Sequence, residues 1–136
     1  MGISGIDHVA FPTEDMERFL SFYKALGFGV EHEQSWREGR SPVVAITCGD
    51  TKLNIHPPGL AEKITLRGPT AQPGCADLCF VWDEGLDALL ATLQRGNIPV
   101  EEGPVKRIGG RGAGTARGMS VYIRDPDRNL LEFICY

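Results

Sequence analysis

An α+β fold built from two βαβββ modules follows from three observations on the 136-residue chain. A strand-like segment followed by one amphipathic helix occurs twice, and three further strand-like segments succeed each helix. Both helical segments stop at a glycine, Gly27 and Gly96. Between the halves, residues 57–73 hold four prolines and two glycines with no apolar period, which reads as a linker. One domain over 1–136 is expected, with a first module at about 3–58, a linker at about 59–73 and a second module at about 74–136.

Each element has its own signal. Ile3 to Phe11 reads as a strand, then Pro12, Thr13 and Glu14 as a turn in which Thr13 caps the following helix. Met16, Phe19, Leu20, Tyr23 and Leu26 recur at helical spacing up to Gly27. Phe28 to Pro57 alternates apolar and polar residues, interrupted by Arg37-Glu38-Gly39-Arg40 and by Gly49-Asp50, and predicts a meander of three strands. The pattern then restarts. Ala76 to Trp82 is a strand, and Glu84 to Arg95 a helix with Leu86, Leu89, Leu90 and Leu93 on one face. Val100 to Arg107, Met119 to Arg124 and Asn129 to Cys135 complete the second set.

Composition narrows the function. A net charge of -4 and a pI near 5.3 lack the basic face of a nucleic-acid binder. No apolar run reaches bilayer length, and Met1 to Ile6 carry no targeting pattern. The four cysteines form no CxxC pair and read as reduced thiols. A cytoplasmic protein with neither membrane nor nucleic-acid partner is expected.

The two halves overlay. Asp-His-Val-Ala-Phe (7–11) lies over Ala-Asp-Leu-Cys-Phe (76–80), and Lys52-Leu-Asn-Ile-His56 over Arg128-Asn-Leu-Leu-Glu132. Strand parity puts Val9, Phe11, Leu53, Ile55, Leu78, Phe80, Leu131 and Phe133 against the helices. His8, His56, Asp77 and Glu132 then share the opposite faces, His8 matching Asp77 and His56 matching Glu132. Under twofold packing of the halves the four converge. Two imidazoles and two carboxylates suit a divalent transition metal such as Mn, Fe, Ni or Zn, with positions left for two substrate oxygens.

The HVAF strand, the repeat and Tyr122-Ile-Arg-Asp-Pro-Asp-Arg-Asn-Leu-Leu-Glu132 resemble the vicinal oxygen chelate superfamily of glyoxalases, extradiol dioxygenases and bleomycin-resistance proteins. Lys52 to His56, Pro73 to Cys79 and Ile98 to Val105 are similar to glyoxalase domain-containing protein 5 and its bacterial virulence-associated relatives. The resemblance implies a curved mixed sheet around a cavity, helices outside, and metal ligands at His8, His56, Asp77 and Glu132. Asp77 departs from the histidine usual at the fifth strand, and His56 from the carboxylate of glyoxalase I at the fourth. It also implies a homodimer.

The expected activity is that of a metal-dependent enzyme chelating a small substrate through two vicinal oxygens, by lyase- or dioxygenase-like chemistry. Glu132 and Asp77 are the candidate catalytic carboxylates, and Tyr122, Arg111 and Arg124 the candidate substrate-binding residues. The alternative is a metal-free protein that binds and sequesters a small molecule, as bleomycin-resistance proteins do. Blander readings stand beside these. Asp77 can bond a turn, His32 can be a surface residue, and Cys79 a buried structural thiol. The glycine-rich run 109–118 reads as a mobile loop or, through Arg111 and Arg117, as an anion-gripping lid.

Overall fold

The computed structural model describes residues 2–136; Met1, which opens the stretch read for a targeting signal, lies outside them. The chain divides into two compact units, Met1–Cys75 and Ala76–Tyr136. Each carries one four-stranded mixed sheet, so the α+β class and the repeat hold. In the first unit the elements are β1 (His8–Pro12), α1 (Met16–Ala25), β2 (Gly29–Glu31), α2 (Glu33–Arg37), β3 (Val44–Cys48) and β4 (Thr51–His56). The second has β5 (Asp77–Val81), α3 (Leu86–Arg95), β6 (Glu102–Ile108), α4 (Arg111–Gly114), β7 (Arg117–Arg124) and β8 (Leu130–Cys135). Sheet order is β1-β4-β3-β2 in one and β5-β8-β7-β6 in the other. In both, the first and last strands pair in parallel at one side and the remaining pairs are antiparallel.

The first core forms where α1 covers the odd-numbered face of β1 and β4. Phe11 meets Phe19 at 6.1 Å between ring centroids, and Phe19 stacks on Tyr23 at 4.1 Å. Leu53 and Ile55 are buried with them, as parity required. In the second unit Phe133 lies between Phe80 (5.5 Å) and Trp82 (6.1 Å), with Leu89 and Leu93 of α3 buried.

Three local expectations change. Asp15, not Thr13, caps α1: its carboxylate accepts the backbone N–H of Arg18 at 3.1 Å, while the Thr13 hydroxyl turns to Asp15. Gly27 adopts φ 95° just past α1, but the left-handed position after α3 falls to Asn97 (φ 54°), with Gly96 still right-handed. Within the expected three-strand meander, α2 intervenes after His32 turns at φ 68°. It is held by Arg37, which donates to Glu33 one turn earlier (2.8 Å) and to both oxygens of Glu17 on α1 (2.6 and 2.8 Å).

The Asp-Pro-Asp-Arg-Asn run is structural. The buried Asp125 carboxylate accepts from the backbone N–H groups of Asp127 (3.0 Å) and Asn129 (2.9 Å) and from the Asn129 amide (2.8 Å). The Asn129 Oδ1 accepts the N–H of Ala76 at 2.8 Å, tying the β7–β8 turn to the chain entering β5. Asp125→Ala strands several buried donors and is expected to cost about 2–4 kcal/mol in urea unfolding of the whole chain.

Candidate functional site

Register decides which polar residues meet. In the first unit β1 pairs with β4 so that His8 lies beside Lys52, Ala10 beside Asn54 and Pro12 beside His56. In the second, Asp77 lies beside Leu130, Cys79 beside Glu132 and Val81 beside Ile134. With His8 matched to Asp77, the residue equivalent to Glu132 is Asn54, and His56 is equivalent to Ile134. The overlay of His56 on Glu132 is therefore wrong by two residues. The faces survive the correction, because a two-residue slip preserves strand parity.

The correction bears on the expected metal set. His8 and His56 share a face but stand four residues apart along a parallel pair, roughly 13 Å. Imidazole ligands reach an ion at about 2.1 Å, and two such side chains standing off a sheet cannot close that gap. His8, His56, Asp77 and Glu132 thus do not fit one ion as a set. Among the described residues no three His, Cys, Asp or Glu are grouped to hold one. His8 instead places Nδ1 2.6 Å from the Asp7 carboxylate, and half of its side chain is exposed.

Around Glu132 the second unit gathers polar side chains on one face. The fully buried Ser120 donates its hydroxyl to Glu132 Oε2 at 2.5 Å. Tyr122 is Glu132's direct partner on β7, and Cys79 its partner on β5. Arg107 donates Nε to the Tyr122 oxygen at 3.0 Å and Nη2 to Glu102 at 3.0 Å. Burial raises the Tyr122 phenol; the Arg107 donor opposes this, and the Glu132 charge adds to it. Burial, then the Glu132 charge, pushes the Cys79 thiol up to about 12, so it stays protonated near neutrality. Cys79 was expected to be a buried structural thiol; the residue is exposed on this face, with its sulfur only partly covered. Asp77 is exposed at the start of β5 on the same face.

The other candidates are engaged elsewhere. Arg124 donates to both oxygens of Glu101 (3.2 and 3.1 Å) and to the Arg128 carbonyl (3.2 Å). Arg111 stacks over Tyr136 at 4.8 Å, and its backbone N–H donates to the Tyr136 hydroxyl at 3.3 Å. The glycine-rich run is packed against β8. A Cβ on Gly118 would lie 2.6 Å from the Cys135 carbonyl and 2.8 Å from Ile134, so glycine permits the close approach there.

The first unit holds a cavity of about 610 Å³. His8, Ala10, Asn54 and His56 form its sheet side, and residues 57–73, expected only as a linker, form its cover, including Arg67 and Gln72. Sequence reasoning passed over Asn54 and Arg67. The available signal was Asn54 itself, a strand-disfavoured amide between Leu53 and Ile55 with the parity of His56. Its Oδ1 is buried and accepts no hydrogen bond from any described residue.

Burial, and then the charge of Arg67, holds the His56 imidazole below its ordinary 6.5. Since the unfolded chain takes up the proton first, His56 contributes full stability above pH 6.5 and loses it as pH falls below that value. His56→Gln should flatten this acid-side fall in the urea midpoint. The register makes a second prediction: after loading with Mn, Fe, Ni or Zn, elemental analysis should show loss of bound ion in at most one of His8→Ala and His56→Ala.

The comparisons agree with this architecture. Residues 5–133 match the model of the Glyoxalase/Bleomycin resistance protein/Dioxygenase superfamily. Glyoxalase domain-containing protein RDO1 of Mycosarcoma maydis is 35% identical over 136 residues, all of this chain and 70% of that protein. Virulence protein STM3117 of Salmonella typhimurium is 34% identical over 137 residues, covering all of this chain and 87% of that one. Its crystal structure superposes with a TM-score of 0.83 at 31% identity, over 100% of this chain and 99% of that chain. An integron cassette protein from the mobile metagenome of V. Cholerae gives 0.84 at 31% identity, over 100% and 98%. Family match, relatives and paired sheets agree: the chain belongs to the glyoxalase/bleomycin resistance protein/dioxygenase superfamily.

Proposed function

We propose that the chain is an enzyme of glyoxalase or dioxygenase type, acting on a small molecule with two adjacent oxygens, and that Glu132 takes up and returns a proton. The observation that carries this reading is the setting of Glu132. One carboxylate oxygen is fixed by Ser120, and a phenol and a thiol lie beside it on the neighbouring strands. A carboxylate held in one orientation is suited to removing a proton next to a carbonyl and delivering it to the neighbouring position. Tyr122 accepts from Arg107 while its own hydroxyl proton faces the Glu132 carboxylate, so phenol and carboxylate would act on the substrate together. Asp77 supplies a second carboxylate on that face. The same reading takes the protein as a cytoplasmic homodimer, on composition and family.

A second reading, metal-free sequestration of a small molecule, is favoured by the separation of His8 and His56 along their strands. A screen of the full chain, untreated and loaded with each of Mn, Fe, Ni and Zn, separates the two. Substrates are methylglyoxal with a thiol, and catechol. Turnover that falls about 100-fold or more in folded Glu132→Gln, and by less in Ser120→Ala, is the expected result. Saturable binding of these compounds with no turnover under any ion points to the second reading.

A further inference from the structure

The Tyr122 phenol meets two charged side chains, Glu132 across from it on β8 and Arg107 of β6. A register shift between Glu102 and Val105 sets Glu102 directly opposite Tyr122. Arg107 reaches back along β6 over the Tyr122 ring, its Cζ 5.5 Å from the ring centroid. All three nitrogens of its guanidinium have partners inside the unit. Nε donates to the Tyr122 oxygen at 3.0 Å, Nη1 to the Lys106 carbonyl at 3.1 Å and Nη2 to Glu102 at 3.0 Å. The pair with Glu102 is exposed and adds little stability, so its effect is on where the guanidinium points.

Donor chemistry then orients the phenol. A guanidinium donates and cannot accept, whereas a phenol carries one proton and lone pairs that accept. With Arg107 Nε on a lone pair of the Tyr122 oxygen, the Tyr122 proton is turned away from Arg107. Glu132 is the acceptor on hand: it lies beside Tyr122 in register, and its carboxylate acts on the phenol through a hydrogen bond and its charge. Ser120, two residues before Tyr122 on the same strand, donates to Glu132 Oε2 at 2.5 Å. Glu102, Arg107, Tyr122 and Glu132 thus form a chain in which each hydrogen bond polarises the next.

We propose that Arg107 is a positioning residue: steered by Glu102, it turns the Tyr122 proton onto Glu132 and does not itself bind the substrate. The proposal rests on the reading that Glu132 carries a proton in the reaction. It adds the residue that sets the orientation of that carboxylate's phenol neighbour.

Exchange of the tyrosine hydroxyl protons tests it on the full chain without any substrate, read from the Cζ carbon resonances in mixed light and heavy water. Tyr122→Phe identifies the Tyr122 signal among the three tyrosines. The wild type is expected to show a slowly exchanging Tyr122 proton. In Arg107→Met exchange should be about tenfold or more faster, with the backbone resonances of β7 and β8 in place. Arg107→Lys keeps one donor and should restore part of the slow exchange, and Glu102→Ala should fall between wild type and Arg107→Met. On any substrate that the wild type turns over, Arg107→Met should lower kcat about tenfold or more and leave KM within about twofold. Fast exchange in the wild type overturns the proposal. So does unchanged exchange in a folded Arg107→Met, or a raised KM at unaltered kcat, which would make Arg107 a ligand of the substrate. Should Arg107→Met not fold, Arg107→Lys and Glu102→Ala carry the same comparison. Absence of turnover by the wild type under every ion counts against Glu132 as a proton carrier, and the exchange result still decides the role of Arg107.

Discussion

The buried carboxylate–amide pair of Asp125 and Asn129 sets the geometry on which the second unit depends. β8 is the central strand between β5 and β7, and its register against both is fixed within a few residues of this pair. Asn129 anchors the start of β5 through Ala76, while Asp125 folds the turn out of β7. Glu132 comes three residues later, so its alignment with Cys79 and Tyr122 follows from the turn. The residues that make the Asp-Pro-Asp-Arg-Asn run recognisable are thus architectural. The carboxylate proposed to act, Glu132, sits on the strand they align.

Much of this was legible from the amino-acid pattern, and the errors have a common cause. Alternation assigned every large apolar residue of β1, β4 and β8 to the correct face, because burial on one side enforces a period of two. The same period cannot detect a slip of two residues, so His56 was matched with Glu132 in place of Asn54. Helix existence was plain in Phe19, Leu20, Tyr23, Leu89 and Leu93. Helix ends were less so, since Asp15 and Asn97 do the work for which Thr13 and Gly96 are equally good candidates on composition. α2 was missed because Glu33, Arg37 and Glu17 stabilise it through ion pairs, which leave no apolar period.

The corrected register shows what differs between the repeats. The same place in each sheet carries an amide in one unit and a carboxylate in the other. Asn54 has alanines across from it and lines the cavity of the first unit. Glu132 has cysteine and tyrosine there and is engaged. An acceptor unmet among the described residues in one unit thus stands where the other holds an anion bound by a serine hydroxyl. The two units differ in the residues that surround one strand position.

The topology also governs how the chain comes to be folded. In both sheets the first strand pairs in parallel with the last, so β1 gains its neighbour only when β4 has been made, and β5 only when β8 has. Such pairings close long stretches of chain before they return any hydrogen bonds, which places the entropic barrier early and makes assembly slow relative to a helical bundle. During synthesis β5 to β7 leave the ribosome ahead of the strand that belongs between them. Until then the edges of β5 and β7 are open, and that interval is when the second unit is most exposed to intermolecular strand pairing.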